Sequence, residues 1–160
     1  MREILFRGKT YDGRLVEGCL ICAPNYTCIL EAEEKVHPMD YPYLDGELGT
    51  FDGKATPVIP ETVGQYTGLT DKNGTKIFEG DIVEFSTTDY CGGKYHGEVV
   101  FRNGCYGIEY VLYGETKLFH RIGEIGRWQD MGASGTITYK YQKIGNIHDN
   151  PEMLGGGEDA

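Results

Sequence analysis

The stretch Val63-Gly-Gln-Tyr-Thr-Gly-Leu-Thr-Asp-Lys-Asn-Gly-Thr-Lys-Ile-Phe-Glu-Gly-Asp-Ile-Val-Glu-Phe85 decides how the chain is read. Asn73-Gly74 stands between two short hydrophobic segments. A two-residue hairpin turn needs positive φ at both central residues, and Asn-Gly meets that need at least steric cost. Glu79-Gly80-Asp81 makes a second break. Ile82-Val-Glu-Phe85 then alternates as a strand does.

Working outward, the same grammar repeats. Ile4 to Cys22 reads as an N-terminal hairpin turning at Asp12-Gly13, and Tyr26, Cys28 and Leu30 continue the alternation. Glu98 to Phe101 meets a further Asn-Gly turn at Asn103-Gly104. From there Tyr106, Ile108 and Tyr110 return along one face, the pattern of a half-buried antiparallel strand. Lys117–Ile122 and Thr136–Tyr141 read as later strands, and 86–95 as a loop. Residues 31–60 carry four prolines and the turn signals Asp45-Gly46 and Asp52-Gly53, so an irregular excursion is expected there. It would hold one short hairpin around Leu44 to Phe51, with Val58 and Ile59 leading back into the sheet. Asn150-Pro-Glu combines an N-cap, a proline at the first helical position and an early carboxylate, which predicts one short C-terminal helix. Residues 155–160 read as a disordered tail. The expectation is an all-β domain over 1–154, closed or partly closed into a small barrel, with a two-sheet sandwich as the alternative.

Composition narrows the function classes. Glycine supplies 24 of 160 residues, about twice the usual share, as many turns between short strands require. The formal charge of -10 disfavours a broad nucleic-acid groove. Five cysteines (Cys19, Cys22, Cys28, Cys91, Cys105), an N-terminus too polar for a secretory segment and no apolar run of membrane-spanning length point to free thiols in a reducing cytoplasm, away from membranes.

No constellation points to catalysis, a metal or a cofactor. Cys19-Leu-Ile-Cys22 has no second pair, and on a strand residues three apart face opposite ways. The two thiols are expected to be buried or half-buried. His37, His96, His120 and His148 show no ligand spacing, and nothing orients a base beside Cys91. Gly64, Gly68, Gly74 and Gly80 lack the following helix that a phosphate loop needs, so they read as turn positions. Asp71 and Asp81 read as turn acceptors rather than calcium ligands. Tyrosines on alternating strands suit packing. Tyr41, Tyr43, Tyr90 and Tyr95, read as loop residues, are the candidate contact residues, because tyrosine combines large contact area with a polar tip.

Three blocks of the chain resemble the YopX proteins of bacteriophages and prophages: Arg2–Lys9 with Asp12-Gly13 and Val16–Gly18; Pro60–Val83; and Ile144–Ile147 with Asn150–Leu154. Residues 31–57 and 111–135 match weakly. The shared positions include Tyr66, Gly68, Asp71, Asn73, Gly74, Gly80, Asp81, Gly145, Asn146 and Asn150, all read as structural. The resemblance implies a mainly β fold with an SH3-type barrel, a phage or prophage origin and a cytoplasmic location in a bacterial host. It implies no activity. The expected function is therefore that of a non-enzymatic accessory protein, a binding module for a protein partner or for its own copies. The alternative is a nucleic-acid-associated module, which would need Lys72, Lys76, Lys94, Arg102 and Arg121 gathered on one face.

Overall fold

The computed structural model describes residues 3–31, 55–86, 94–112, 116–122, 126–130, 133–137 and 141–155. The chain divides into two compact units, Met1–Tyr66 and Thr67–Ala160. Both are built from antiparallel strands, so the mainly β expectation holds.

The first unit contains β1 (Phe6–Lys9), β2 (Leu15–Ala23), β3 (Tyr26–Glu31), β4 (Ala55–Pro57) and the start of β5 (Gly64–Thr70). Their order is β4-β3-β2-β1-β5. The N-terminal hairpin forms as expected, with Phe6 opposite Gly18 and Lys9 opposite Leu15. Along β2, Val16 and Gly18 are buried while Leu15, Glu17 and Cys19 are exposed, the period-two pattern that fixes register. Val16, Ile29 and Val58 form the core, with Phe6, Leu20 and Val63 packed around it. Glu31 and Ala55–Pro57 belong to this sheet, and Val58 bridges to Thr10, so both ends of the expected excursion are ordered. Its middle, with Tyr41, Tyr43 and the expected Leu44–Phe51 hairpin, lies outside the described residues.

The second unit contains the rest of β5, β6 (Lys76–Phe78), β7 (Asp81–Ser86), β8 (Lys94–Arg102), β9 (Cys105–Leu112), β10 (Thr116–Arg121), β11 (Gly126–Asp130), β12 (Ala133–Ile137) and β13 (Gln142–Asn146). Five of these form a sheet in the order β10-β9-β8-β7-β13, and β11 pairs with β12. Ile77, Val83, Phe85, Val99, Ile108 and Tyr141 make its core, with Tyr95, Tyr110 and Ile122 packed against it.

Several expectations change. Neither sheet closes on itself among the described residues, where a barrel would require its end strands to pair. The edges of the five-stranded sheet carry devices that keep an edge open. On β10, Thr116, Lys117 and Arg121 are exposed, and β13 is bulged between Lys143 and Gly145. Strand β8 begins at Lys94, so Tyr95 is a strand residue opposite Phe85 and not a loop residue. Gly64 and Gly68 lie within β5, the latter at φ 87°, while Gly74 and Gly80 do sit at turns. Cys19 and Cys22 are exposed on β2, where the first and fourth residues of the motif lie on opposite faces of the strand. Of the strand expected over Thr136–Tyr141, Thr136 and Ile137 lie in β12, and 138–140 lie outside the described residues. At the C-terminus the proline-led segment is a 3-10 turn, Pro151–Gly155, since the glycines that follow offer no further helical turn.

Candidate functional site

The motif residues of the second unit converge on one knot. Asp71 Oδ1 accepts the amides of Asn73 at 2.8 Å and Thr75 at 2.9 Å, and Oδ2 accepts the amide of Lys143 on β13 at 3.1 Å. Burial alone would raise this carboxyl. The amide bonds from Thr75, Asn73 and Lys143 together outweigh burial and hold it below the usual carboxylate range. Lys143 is gripped again by Asp81, which is fully buried. The Asp81 carboxylate accepts the Phe78 amide at 2.8 Å and lies 3.3 Å from Lys143 Nζ. The Gly80 carbonyl then receives the Ile147 amide at 2.9 Å. Asn146 accepts the amides of His148 and Asp149 through Oδ1 and donates to Asp149 at 2.8 Å. A Cβ on Gly145 would fall 2.6 Å from Asn150 Oδ1, so any larger residue there would push the Asn150 side chain aside. Motif residues some 70 positions apart are thus stitched together by hydrogen bonds through Lys143.

One face of the five-stranded sheet is aromatic. Phe85 meets Tyr110 and His120 edge-on at 5.0 Å each, and Tyr95 at 5.8 Å. His120 Nε2 lies 3.3 Å from the Tyr141 hydroxyl. Burial in this cage lowers the His120 pKa to about 4, so the ring is neutral at pH 7. Tyr95 is half-buried as part of this packing. Tyr90, like Tyr41 and Tyr43, lies outside the described residues. Tyr66 is buried in the first unit, where its amide donates to the Leu5 carbonyl.

The opposite face sets carboxylates among apolar residues, with the buried Ile82 opposite Glu98 and Phe119 opposite Glu109. Glu84, Glu98 and Glu109 sit on β7, β8 and β9. Lys94 Nζ hydrogen-bonds Glu84 at 3.0 Å, and that bond, with help from His96, holds Glu84 below the usual range. His96 Nδ1 lies 3.1 Å from the Met153 carbonyl, which can only accept, so this nitrogen carries the proton. Glu98 stands directly opposite Glu109. Arg102 bridges Glu109 at 2.6 Å. Burial, and then repulsion from Glu109, raise the Glu98 pKa. Beside them lies an open groove of about 210 Å³ lined by His96, Glu98, Glu109, Val111, Lys117 and Leu154 together with Tyr110.

Sequence reasoning missed Lys143, the His120 cage and the Glu98–Glu109 pair. The last had a signal. Counting outward from Asn103-Gly104 in two-residue hairpin register sets Glu98 against Glu109. Among the described residues no three histidine, cysteine or acidic side chains are placed to hold a metal ion. No helix among them is long and apolar enough to cross a membrane.

The architecture is that of an antiparallel β protein whose motif residues bind strand to turn. The chain belongs to the YopX family: the model described as "YopX protein" matches residues 24–155. Among solved structures it is similar to protein EF1440 from Enterococcus faecalis, at 22% identity over 96% of this chain and 99% of that one, with a TM-score of 0.44. Comparison with curated proteins returns no match.

Proposed function

We propose that this YopX protein is a non-enzymatic binding module, a phage- or prophage-encoded accessory protein of the bacterial cytoplasm that acts through contacts with a protein partner or with its own copies. The observation that carries this reading is the carboxylate-bearing face of the five-stranded sheet. Its groove is partly open and lined by charged and apolar residues together, which suits a protein contact surface better than the enclosed concave site of a small-molecule enzyme. His96 is tied to the Met153 carbonyl and lies 3.6 Å from Glu84. The strand order, five antiparallel strands with polar edges, is compatible with a partly open relative of the SH3-type barrel, a scaffold that presents such surfaces by fold-level analogy.

The nucleic-acid reading draws less support. Two of the five cations it needs are engaged by carboxylates, Lys94 by Glu84 and Arg102 by Glu109. The test is light scattering over a concentration series, joined to affinity capture from a bacterial host. Concentration-dependent assembly or a stoichiometric partner is the expected result. A monomer at every concentration that captures nothing would defeat the proposal.

A further inference from the structure

We propose that the groove between β8, β9, β10 and the C-terminal 3-10 turn receives an arginine side chain of a protein partner, with Glu98 as the carboxylate that meets it. The inference rests on reading the chain as a protein-binding module and names the chemistry of that module's contact.

Three carboxylates lie on adjacent strands of this face, and two have cations of their own. Glu84 has Lys94 at 3.0 Å, and Glu109 has Arg102 at 2.6 Å. Glu98, between them, makes no hydrogen bond or ion pair with the described residues. Lys117 lines the same groove from β10 without reaching ion-pair distance of Glu98, and the exposed Lys117 marks its rim. Glu98 therefore bears partial burial and a like charge directly across the ladder, an arrangement that destabilises a sheet and that the more distant Lys117 and Arg102 offset only in part. A fold that keeps such a carboxylate next to a groove is poised to gain from an arriving cation.

Shape selects among cations. Val111 and Leu154 give the groove apolar walls that suit an aliphatic stem. Directly opposed cross-strand residues hold their Cβ atoms roughly 5 Å apart. A planar guanidinium with several N–H donors can address both Glu98 and Glu109 at that spacing. A compact ammonium is a point charge and is more strongly hydrated.

The test titrates N-acetyl-arginine amide into the full isotope-labelled chain and follows amide shifts by NMR. Saturable shifts confined to Glu98, Glu109 and Val111 are expected. Glu98→Gln should weaken binding about tenfold or more, the equivalent of about 1.4 kcal/mol, while Glu84→Gln should leave it unchanged. Lys117→Gln should strengthen it by removing a competing charge. Val111→Lys, which places a cation at the groove from within, should abolish binding independently of Glu98. N-acetyl-citrulline amide, of the same shape without the charge, should not bind. Indifference to Glu98→Gln, equal binding of citrulline, tighter binding of N-acetyl-lysine amide, or unsaturable shifts spread over all acidic positions would each overturn the inference. Failure here sinks the groove and leaves the binding-module reading standing. A chain that binds arginine yet neither assembles nor captures a partner sinks that reading instead.

Discussion

Asn73-Gly74 and Asn103-Gly104 are the same dipeptide in the same compact unit, each joining two antiparallel strands, yet their backbones differ. At the first, Asp71 N–H donates to the Thr75 carbonyl at 2.8 Å and Gly74 N–H to the Asp71 carbonyl at 3.0 Å. Only the glycine has positive φ, at 84°. This is the three-residue loop with a bulge at glycine. At the second, Arg102 pairs directly with Cys105, and both central residues have positive φ, Asn103 at 52° and Gly104 at 80°. That is the two-residue turn expected of both. The residue two places before the asparagine makes the difference. Asp71 offers a carboxylate that gathers the amides of the turn; Phe101 offers none. Asp12-Gly13 follows the first pattern, with Thr10 in the role of Asp71: Thr10 Oγ1 accepts the Arg14 amide at 2.9 Å. The dipeptide marks where the chain turns, and the short polar side chain upstream selects how.

The largest expected effect tests that role. Asp71→Ala strips an acceptor from three amides at once and should destabilise the second unit by about 3 kcal/mol, since each buried donor left unmet costs on the order of 1–3 kcal/mol. Arg102, at the first position of the other turn, reaches Glu109 with a guanidinium that is itself exposed, and Arg102→Ala should cost about 1 kcal/mol. Urea unfolding of both variants measures the contrast. Equal losses would mean that the two turns are held alike.

Acid should separate the turns next. A carboxyl with a lowered folded pKa contributes stability that is present above its unfolded pKa and is lost as pH falls through the folded value. Asp71 is such a group, and among the described residues no carboxylate gathers the amides of the Asn103 turn. Hydrogen exchange at the Thr75 amide should therefore lose protection on acidification before that at Cys105 does. His120 adds an acid-sensitive contribution to the whole unit. Its pKa is lowered, so its share fades from its unfolded pKa down to about 4. The ring keeps some access to water, so that share is about 2 kcal/mol rather than the full conversion of the shift. His120→Phe should flatten this part of the acid-unfolding curve, and comparison on that background isolates Asp71.

Much of this was legible in the chain. Alternation located β2, β7, β8 and β9, and Asp-Gly and Asn-Gly located the turns from β1 to β2, β5 to β6 and β8 to β9, because burial on one face and backbone sterics are local matters. The open sheet was not legible. Whether end strands pair depends on β10 and β13 meeting, and neither alternation nor turn chemistry encodes that distance. Lys143 was passed over because its role lies in its backbone amide and in two aspartates far away in sequence. Tyr95 was misplaced because Gly92-Gly93 and Cys91 look like a loop up to the residue where β8 starts. The Glu98–Glu109 pair could have been read from the second turn, and only from that one. Applied to Asn73-Gly74, the same count is off by a residue, because the bulge inserts one.

Single substitutions at the asparagines should show smaller differences. Asn103 is held in the left-handed region, where alanine costs about 1 kcal/mol or slightly more, whereas Asn73 is not at positive φ and is exposed. Asn103→Ala should therefore lower stability by about 1 kcal/mol and Asn73→Ala by little. Gly74→Ala and Gly104→Ala, both at positive φ, should cost similar amounts. Thermal unfolding of the four variants gives the comparison. A costly Asn73→Ala would contradict the turn geometry at that position.

The smallest effect is chemical and slow. Asparagine before glycine loses ammonia when the following amide nitrogen attacks the side-chain carbonyl carbon. The cyclic imide that forms takes up water and opens to aspartate or isoaspartate. At Asn73 that nitrogen, Gly74 N, already donates to the Asp71 carbonyl, and the turn around it is pinned by the Asp71 carboxylate. At Asn103 the Gly104 amide makes no hydrogen bond with the described residues, and both residues are exposed. Peptide mapping by mass spectrometry after prolonged incubation at neutral pH should find conversion at Asn103 well ahead of Asn73. In Asp71→Ala the Asn73 turn loses its pins, and its conversion should rise toward that of Asn103 while Asn103 itself is unchanged. If Asn73 converts first in the unaltered chain, the carboxylate does not restrain its turn, and the contrast between the two sites must have another origin.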